Sequence, residues 1–164
     1  MNPDVYQPLV ENFRHTLAEF ANLHQLLEQE RDALAARRID QIKALAEKKK
    51  DSVNRIQKQT SLSNGFLESS HLPGGGSGLE TFFAQLDDDN PATRELREYR
   101  RKIGEYLNKC KALNESNGAS IELMNRHTHR AIDILKNPGN QSHNTYGPDG
   151  SPQKTPATRA RTSV

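Results

Sequence analysis

Residues 90–138 read NPATRELREYRRKIGEYLNKCKALNESNGASIELMNRHTHRAIDILKNP, and this stretch decides the fold. Leu96, Ile103, Cys110, Asn117, Met124 and Ala131 recur every seven residues. Arg100, Leu107, Asn114, Ile121, Thr128 and Leu135 repeat the same step four positions on. Mostly apolar side chains at alternating spacings of three and four make a narrow seam that another helix must cover. Asn90 is placed to cap this helix, Pro91 suits its first position, and Asp87, Asp88 and Asp89 oppose the positive end of its dipole. Pro138 and Gly139 stop it. At 1.5 Å per residue the helix would run roughly 70 Å. That is more than a globular domain of 164 residues needs, and a rod of helices encloses little interior for chemistry.

Two further helices precede it. The first starts near Pro3, with Asn2 as a cap, and carries Leu9, Phe13, Leu17, Phe20, Leu23, Leu27 and Leu34 on one band. Residues 36–40 break the rhythm. Asp40 can cap a second helix bearing Ile42, Leu45, Ala46, Val53 and Ile56, and so short a connection implies an antiparallel hairpin or a kinked continuous helix. Past Thr60, Ser61, Ser63, Asn64 and Gly65 dilute helix propensity. Residues 73–78 read as a flexible linker. After it, Leu79, Phe82, Phe83 and Leu86 form a short amphipathic segment, with Ser77 and Glu80 spaced as a capping box. The segment reads either as a plug for one end of the bundle or as a mobile apolar flap. The expected fold is therefore all-α: an elongated antiparallel helical bundle or coiled coil of three main helices over residues 1–136. Residues 137–164, rich in Asn, Ser, Thr, Gly and Pro, cannot bury enough area to offset their ordering entropy and form a disordered tail.

Composition narrows the function. Only 33% of the chain is hydrophobic and there is no Trp, so the core is a seam rather than a ball. No apolar run approaches a membrane span or a signal peptide, and the single cysteine, Cys110, reads as a small buried hydrophobe in a reducing compartment. A cytoplasmic location without membrane insertion follows. The net charge is +2, but residues 1–136 hold 20 Lys and Arg against 20 Asp and Glu. The excess comes from Lys154, Arg159 and Arg161 against Asp149. Lys48, Lys49 and Lys50 lie between Glu47 and Asp51, the look of a solvated helix face rather than of a phosphate-binding surface. Nucleic acid is not an expected partner.

No catalytic or metal-binding constellation emerges. His127 and His129, two apart on a helix, point roughly 200° away from each other, and His15 and His24 have no ligand set at metal spacing. The glycines at 74–78 follow no strand and present no Lys-Ser/Thr to a phosphate. The expectation is a protein that is not an enzyme and carries neither metal nor cofactor. Asn114 and Asn117 interrupt the long seam, and Gly118 follows. They act either as a buried polar layer that sets helix register or as a point of local loosening. Beyond them, Ile121, Leu123, Met124, Ala131, Ile134 and Leu135 leave an apolar width suited to a partner helix.

Three segments carry a family resemblance. Leu26-Leu27-Glu28-Gln29-Glu30-Arg31-Asp32-Ala33-Leu34 with Ile39-Asp40-Gln41-Ile42 and Leu45-Ala46-Glu47-Lys48-Lys49 is the first. Asn114-Glu115-Ser116-Asn117-Gly118-Ala119-Ser120-Ile121-Glu122 is the second, and Thr145-Tyr146-Gly147-Pro148-Asp149-Gly150 the third. In this order they resemble the FlgN family of flagellar export chaperones. The resemblance implies an antiparallel helical bundle that binds the amphipathic helical termini of hook-associated proteins of the hook–filament junction. It also implies delivery of those clients to the cytoplasmic domain of the flagellar type III export gate. On this reading Ile121, Met124, Ala131, Ile134 and Leu135 form the client surface, and Tyr146, Gly147, Pro148, Asp149 and Gly150 form a docking peptide for the gate. The chain is then a monomer or weak dimer. A structural coiled-coil scaffold or self-associating spacer is the alternative.

Overall fold

The computed structural model describes residues 6–87, 90–136, 145–146 and 152–153. The fold is all-α, with four helices among the described residues: α1 (Gln7–Ala35), α2 (Ile39–Ser69), α3 (Gly76–Ala84) and α4 (Pro91–Lys136). The chain divides into two compact units, Met1–Ile121 and Glu122–Val164. In the second unit α4 continues to Lys136, and two dipeptides, β1 (Thr145–Tyr146) and β2 (Pro152–Gln153), pair antiparallel with Thr145 opposite Gln153. Apart from these, the tail expected to be disordered over 137–164 lies outside the described residues.

Within the first unit α1 is the central helix. Asn12 meets Gln59 and Ser63, Glu19 meets Arg55 and Ser52, and Glu30 meets Lys49, so α2 runs back along α1. On α1's other side Phe20 meets Cys110, and Leu27 and Glu30 meet Asn117, so α4 runs parallel to α1. The expected antiparallel packing thus holds between α1 and α2, while α1 and α4 form a parallel pair. The reason is topological: α2 returns the chain to the start of α1, α3 sits there, and α4 must leave in the direction α1 took. Serving two neighbours, α1 buries more than one stripe. Val10, Asn12, Leu26, Glu30 and Ala33 join the expected Leu9, Phe13, Leu27 and Leu34.

The start expected near Pro3 lies outside the described residues; α1 opens at Gln7 with Pro8 in its first turn. Its end is a Schellman turn: Arg38 N–H donates to the Ala33 carbonyl at 2.9 Å, Arg37 N–H to that of Leu34 at 3.1 Å, and Arg37 sits at φ 53°. Asp40 does not cap α2. Arg38 occupies that position without a side-chain cap, and Asp40 lies in the first turn. A Cβ at left-handed φ is strained, so Arg37→Gly is expected to raise unfolding free energy by about 0.5–1 kcal/mol, read as a higher urea midpoint.

α2 does not weaken past Thr60 but continues to Ser69. Tertiary packing overrides local propensity there. Leu67 is fully buried, and Ser63 donates to Asn12 Oδ1 at 2.6 Å. Ser52, also fully buried, faces Glu19 and Asn22. Such small side chains let α2 approach α1 closely and leave a seam rich in polar contacts.

Gly76, Ser77 and Gly78, expected within the linker, open α3. The capping box between Ser77 and Glu80 does not form, since Gly75 is the N-cap, at φ 84°, and its N–H donates to Asn64 Oδ1 at 2.9 Å. Gly78 is buried so tightly that a Cβ would land on the Pro73 carbonyl oxygen. α3 is thus the plug: Phe82, Phe83 and Leu86 pack with Tyr6, Leu9, Val10, Phe13, Leu67 and Leu96 in one apolar cluster. A second, smaller cluster joins Leu26, Ala33 and Leu45 near the α1–α2 turn. Asn90 caps α4 as its sequence position indicates, accepting from Ala92 N–H at 2.9 Å.

Exposed ion pairs line the surface of α4. Glu98 pairs with Lys102 at 3.2 Å and with Arg101 at 2.7 Å, and these hydrogen bonds hold its carboxyl down at about 2. Glu105 turns back to Arg101 rather than forward to Lys109, whose ammonium lies 5.3 Å from the Tyr106 ring centre.

Candidate functional site

The seam of α4 is covered on one edge only. Leu96, Cys110 and Asn117 are buried, whereas Leu107 is 50% exposed and Asn114 is open to solvent. Cys110 behaves as a small hydrophobe. Its Sγ rests 3.7 Å from the Phe20 carbonyl oxygen, and burial pushes the thiol's pKa up, away from the reactive thiolate.

Asn117 resolves the choice between register control and loosening. It is 2% exposed, and its Nδ2 donates to the Leu27 carbonyl and to Glu30 Oε2, both at 2.9 Å. Glu30, also 2% exposed, takes Lys49 Nζ at 2.8 Å. One residue from each of α1, α2 and α4 thus meets in a satisfied polar clamp, which an axial slip of α4 would break. Asn114 takes no part. Gly118 has open space where a Cβ would stand, so nothing packs on it.

From Gly118 to Lys136 no described side chain is buried. Ile121 and Met124 are half-buried, Ala131 is exposed, and Leu135 is 79% exposed. The side chain of Ile134 lies outside the described residues. Ile132, 38% exposed, was missed by the sequence reading. At 100° per residue, positions 121, 124, 131, 132 and 135 fall within an arc of roughly 100°, whereas 123 and 134 lie well to one side of it. Four of the five expected client positions thus share one arc with Ile132, and position 134 lies off it. Of the candidate gate-docking residues, Gly147, Pro148, Asp149 and Gly150 lie outside the described residues, and Tyr146 is described in its backbone alone, paired with Pro152.

A second open surface was not anticipated. Over the middle of α1, between the two apolar clusters, α2 and α4 flank a groove of about 440 Å³. Phe20, Leu23 and Leu27 form its floor; Ala46 and Val53 stand on one wall, Leu107 and Cys110 on the other. Lys49 and Lys50 on α2 and Lys111 on α4 line its rims. Sequence reasoning treated Lys48, Lys49 and Lys50 as one solvated face. The signal it lacked was the spacing of 46, 49, 50 and 53 on α2 against 107, 110, 111 and 114 on α4, the same two-turn face on each.

Among the described residues no group of three or more His, Cys, Asp or Glu is arranged for a metal, and no helix is long and apolar enough to cross a membrane. The open features described above are apolar helix faces. A family model described as FlgN protein matches residues 1–154, and the chain belongs to the FlgN family. Membership implies a flagellar export chaperone, a role in flagellum assembly in a family that is not one of enzymes. No curated protein and no solved structure matches the chain.

Proposed function

We propose that this protein works in the cytoplasm. There it captures the amphipathic helical termini of hook-associated proteins of the hook–filament junction and hands them to the flagellar type III export gate. Family membership supports the chaperone role, and one observation carries the site: the apolar stripe of α4 beyond Asn117 is uncovered, with Leu135 79% exposed. Ile121, Met124, Ala131, Ile134 and Leu135 are the client surface. A client terminus cannot bury its own apolar face. Covering about 600 Å² of it here would gain roughly 15 kcal/mol gross. Most of that is lost to ordering and to overall motion, leaving an affinity from which release needs no hydrolysis. Tyr146 with Gly147, Pro148, Asp149 and Gly150 is the gate-docking peptide, an aromatic anchor in polar surroundings suited to brief contact.

Titration calorimetry with a purified client terminus tests the surface. Ile134→Asp with Leu135→Asp should weaken capture at least about tenfold, as expected for losing buried leucine-sized contacts. Deleting residues 137–164 should spare client capture and abolish binding to the gate's cytoplasmic domain. Unchanged client affinity in the Asp variant would remove the site. A tight self-associated oligomer indifferent to clients would favour the scaffold instead.

A further inference from the structure

We infer that the groove between α2 and α4 is a separate docking site for about two turns of an amphipathic helix whose apolar ridge is flanked by carboxylates. The inference rests on the helix-capturing reading for the kind of partner, and on the groove's own geometry for the place and the charge. The floor residues Phe20, Leu23 and Leu27 stand at i, i+3 and i+7, and each wall presents a matching two-turn face. Two turns rise roughly 11 Å, so the groove receives a short helical ridge where a fourth helix would complete the packing. Leu107 and Val53, 50% and 39% exposed, have no apolar cover on the groove side.

The rims select the occupant. Glu30 is committed to Lys49 and Asn117 beneath the surface. Lys50 and Lys111 stand on opposite walls in no ion pair among the described residues. Two cations either side of an apolar trough complement a ridge bordered by Asp or Glu on both flanks. The chain's own helical end fits poorly, because residues 122–136 carry Arg126, Arg130 and Lys136 against Glu122 and Asp133. The tail, with Lys154, Arg159 and Arg161 against Asp149, is worse. Both would bring positive charge to a positive rim, so the chain's own C-terminal end is disfavoured in favour of an acidic partner helix.

The test uses the full chain and two labelled model helices of roughly 14 residues, long enough to seat two turns with a turn to spare at each end. Both carry the same leucine ridge; one is flanked by Glu and the other by Lys. Fluorescence anisotropy at low salt should show the Glu-flanked helix binding, and the Lys-flanked one at least about tenfold more weakly. Leu107→Asp, at a half-exposed position that leaves the core intact, should lower affinity for the Glu-flanked helix at least about tenfold. Lys50→Glu with Lys111→Glu should reverse the preference, and the Glu-flanked helix should still bind the Leu135→Asp protein through the groove. Equal binding of the two helices, no binding of either, or indifference to Leu107→Asp would overturn the inference. So would loss of binding on Leu135→Asp, which would move the site to the end of α4. A wild-type dimer that Leu107→Asp splits would overturn it too, by making a second copy the occupant. Client capture in the Leu135→Asp protein is read separately, so failure of the chaperone reading and failure of the groove give different results.

Discussion

Phe83→Ala is expected to lower the free energy of unfolding by about 3–5 kcal/mol, the cost of emptying a fully enclosed aromatic site. Phe83 is 1% exposed and touches three helices. Its ring meets Phe13 of α1 edge-on at 6.0 Å and Phe82 at 5.7 Å, while the Arg100 guanidinium of α4 lies 4.9 Å over its face. Arg97 Nη2 also donates to the Phe83 carbonyl at 2.9 Å. The cavity cannot readily collapse, because Leu9, Leu67 and Leu96 around it are themselves fully packed. α3 has nine residues, too few to be helical on its own. Losing its anchor therefore loosens the whole plug. Urea denaturation should show a lower midpoint with little change in slope, and amides of residues 76–86 should exchange earlier than the rest. A loss below about 1.5 kcal/mol would mean that Phe82 swings in to replace it, against the rigidity argued for this end of the bundle.

Lys49→Met should cost about 2–4 kcal/mol, since it strips the cation from a carboxylate that water cannot reach. Glu30 is 2% exposed, and its remaining partner, Asn117, supplies a neutral N–H where a charge had been. The cost is set toward the lower side because the lysine side chain is itself 19% exposed. The clamp's value lies in alignment more than in stability. Replacing Glu30, Lys49 and Asn117 together by Met, Met and Leu should recover most of the loss, because three apolar groups leave no charge unpaired. The recovered protein should lose the unique setting of α4, seen as broadened NMR resonances for residues 107–121. Additive costs in a double-mutant cycle of Glu30 and Lys49 would show that the two do not act as a pair.

Much of this molecule was legible in its residues, for stated reasons. Leu96, Cys110 and Asn117 fall on one heptad line and are buried together, because a parallel neighbour presents the same spacing along its length. Asn90 and Pro91 announced the start of α4 through local chemistry alone. The reading stumbled where distant packing overrules local preference. Ser61 through Gly65 looked like a helix end, yet α2 continues to the buried Leu67. The glycines at 76 and 78 looked like linker, yet Gly78 is the only kind of residue that can sit against the Pro73 carbonyl. Lys49 read as part of a solvated face until the hairpin brought it to Glu30, nineteen positions earlier. The surplus apolar width beyond Asn117 was visible, and Leu135 is indeed open. The groove was not, because it needs three helices at once, and no single helix's periodicity announces it.

Burial along α4 stops at Asn117, and this sets how the rest of that helix must behave. Past the clamp, from Gly118 to Lys136, none of the described side chains is buried. A guest seated there would firm up the segment it touches, so occupancy and rigidity rise together.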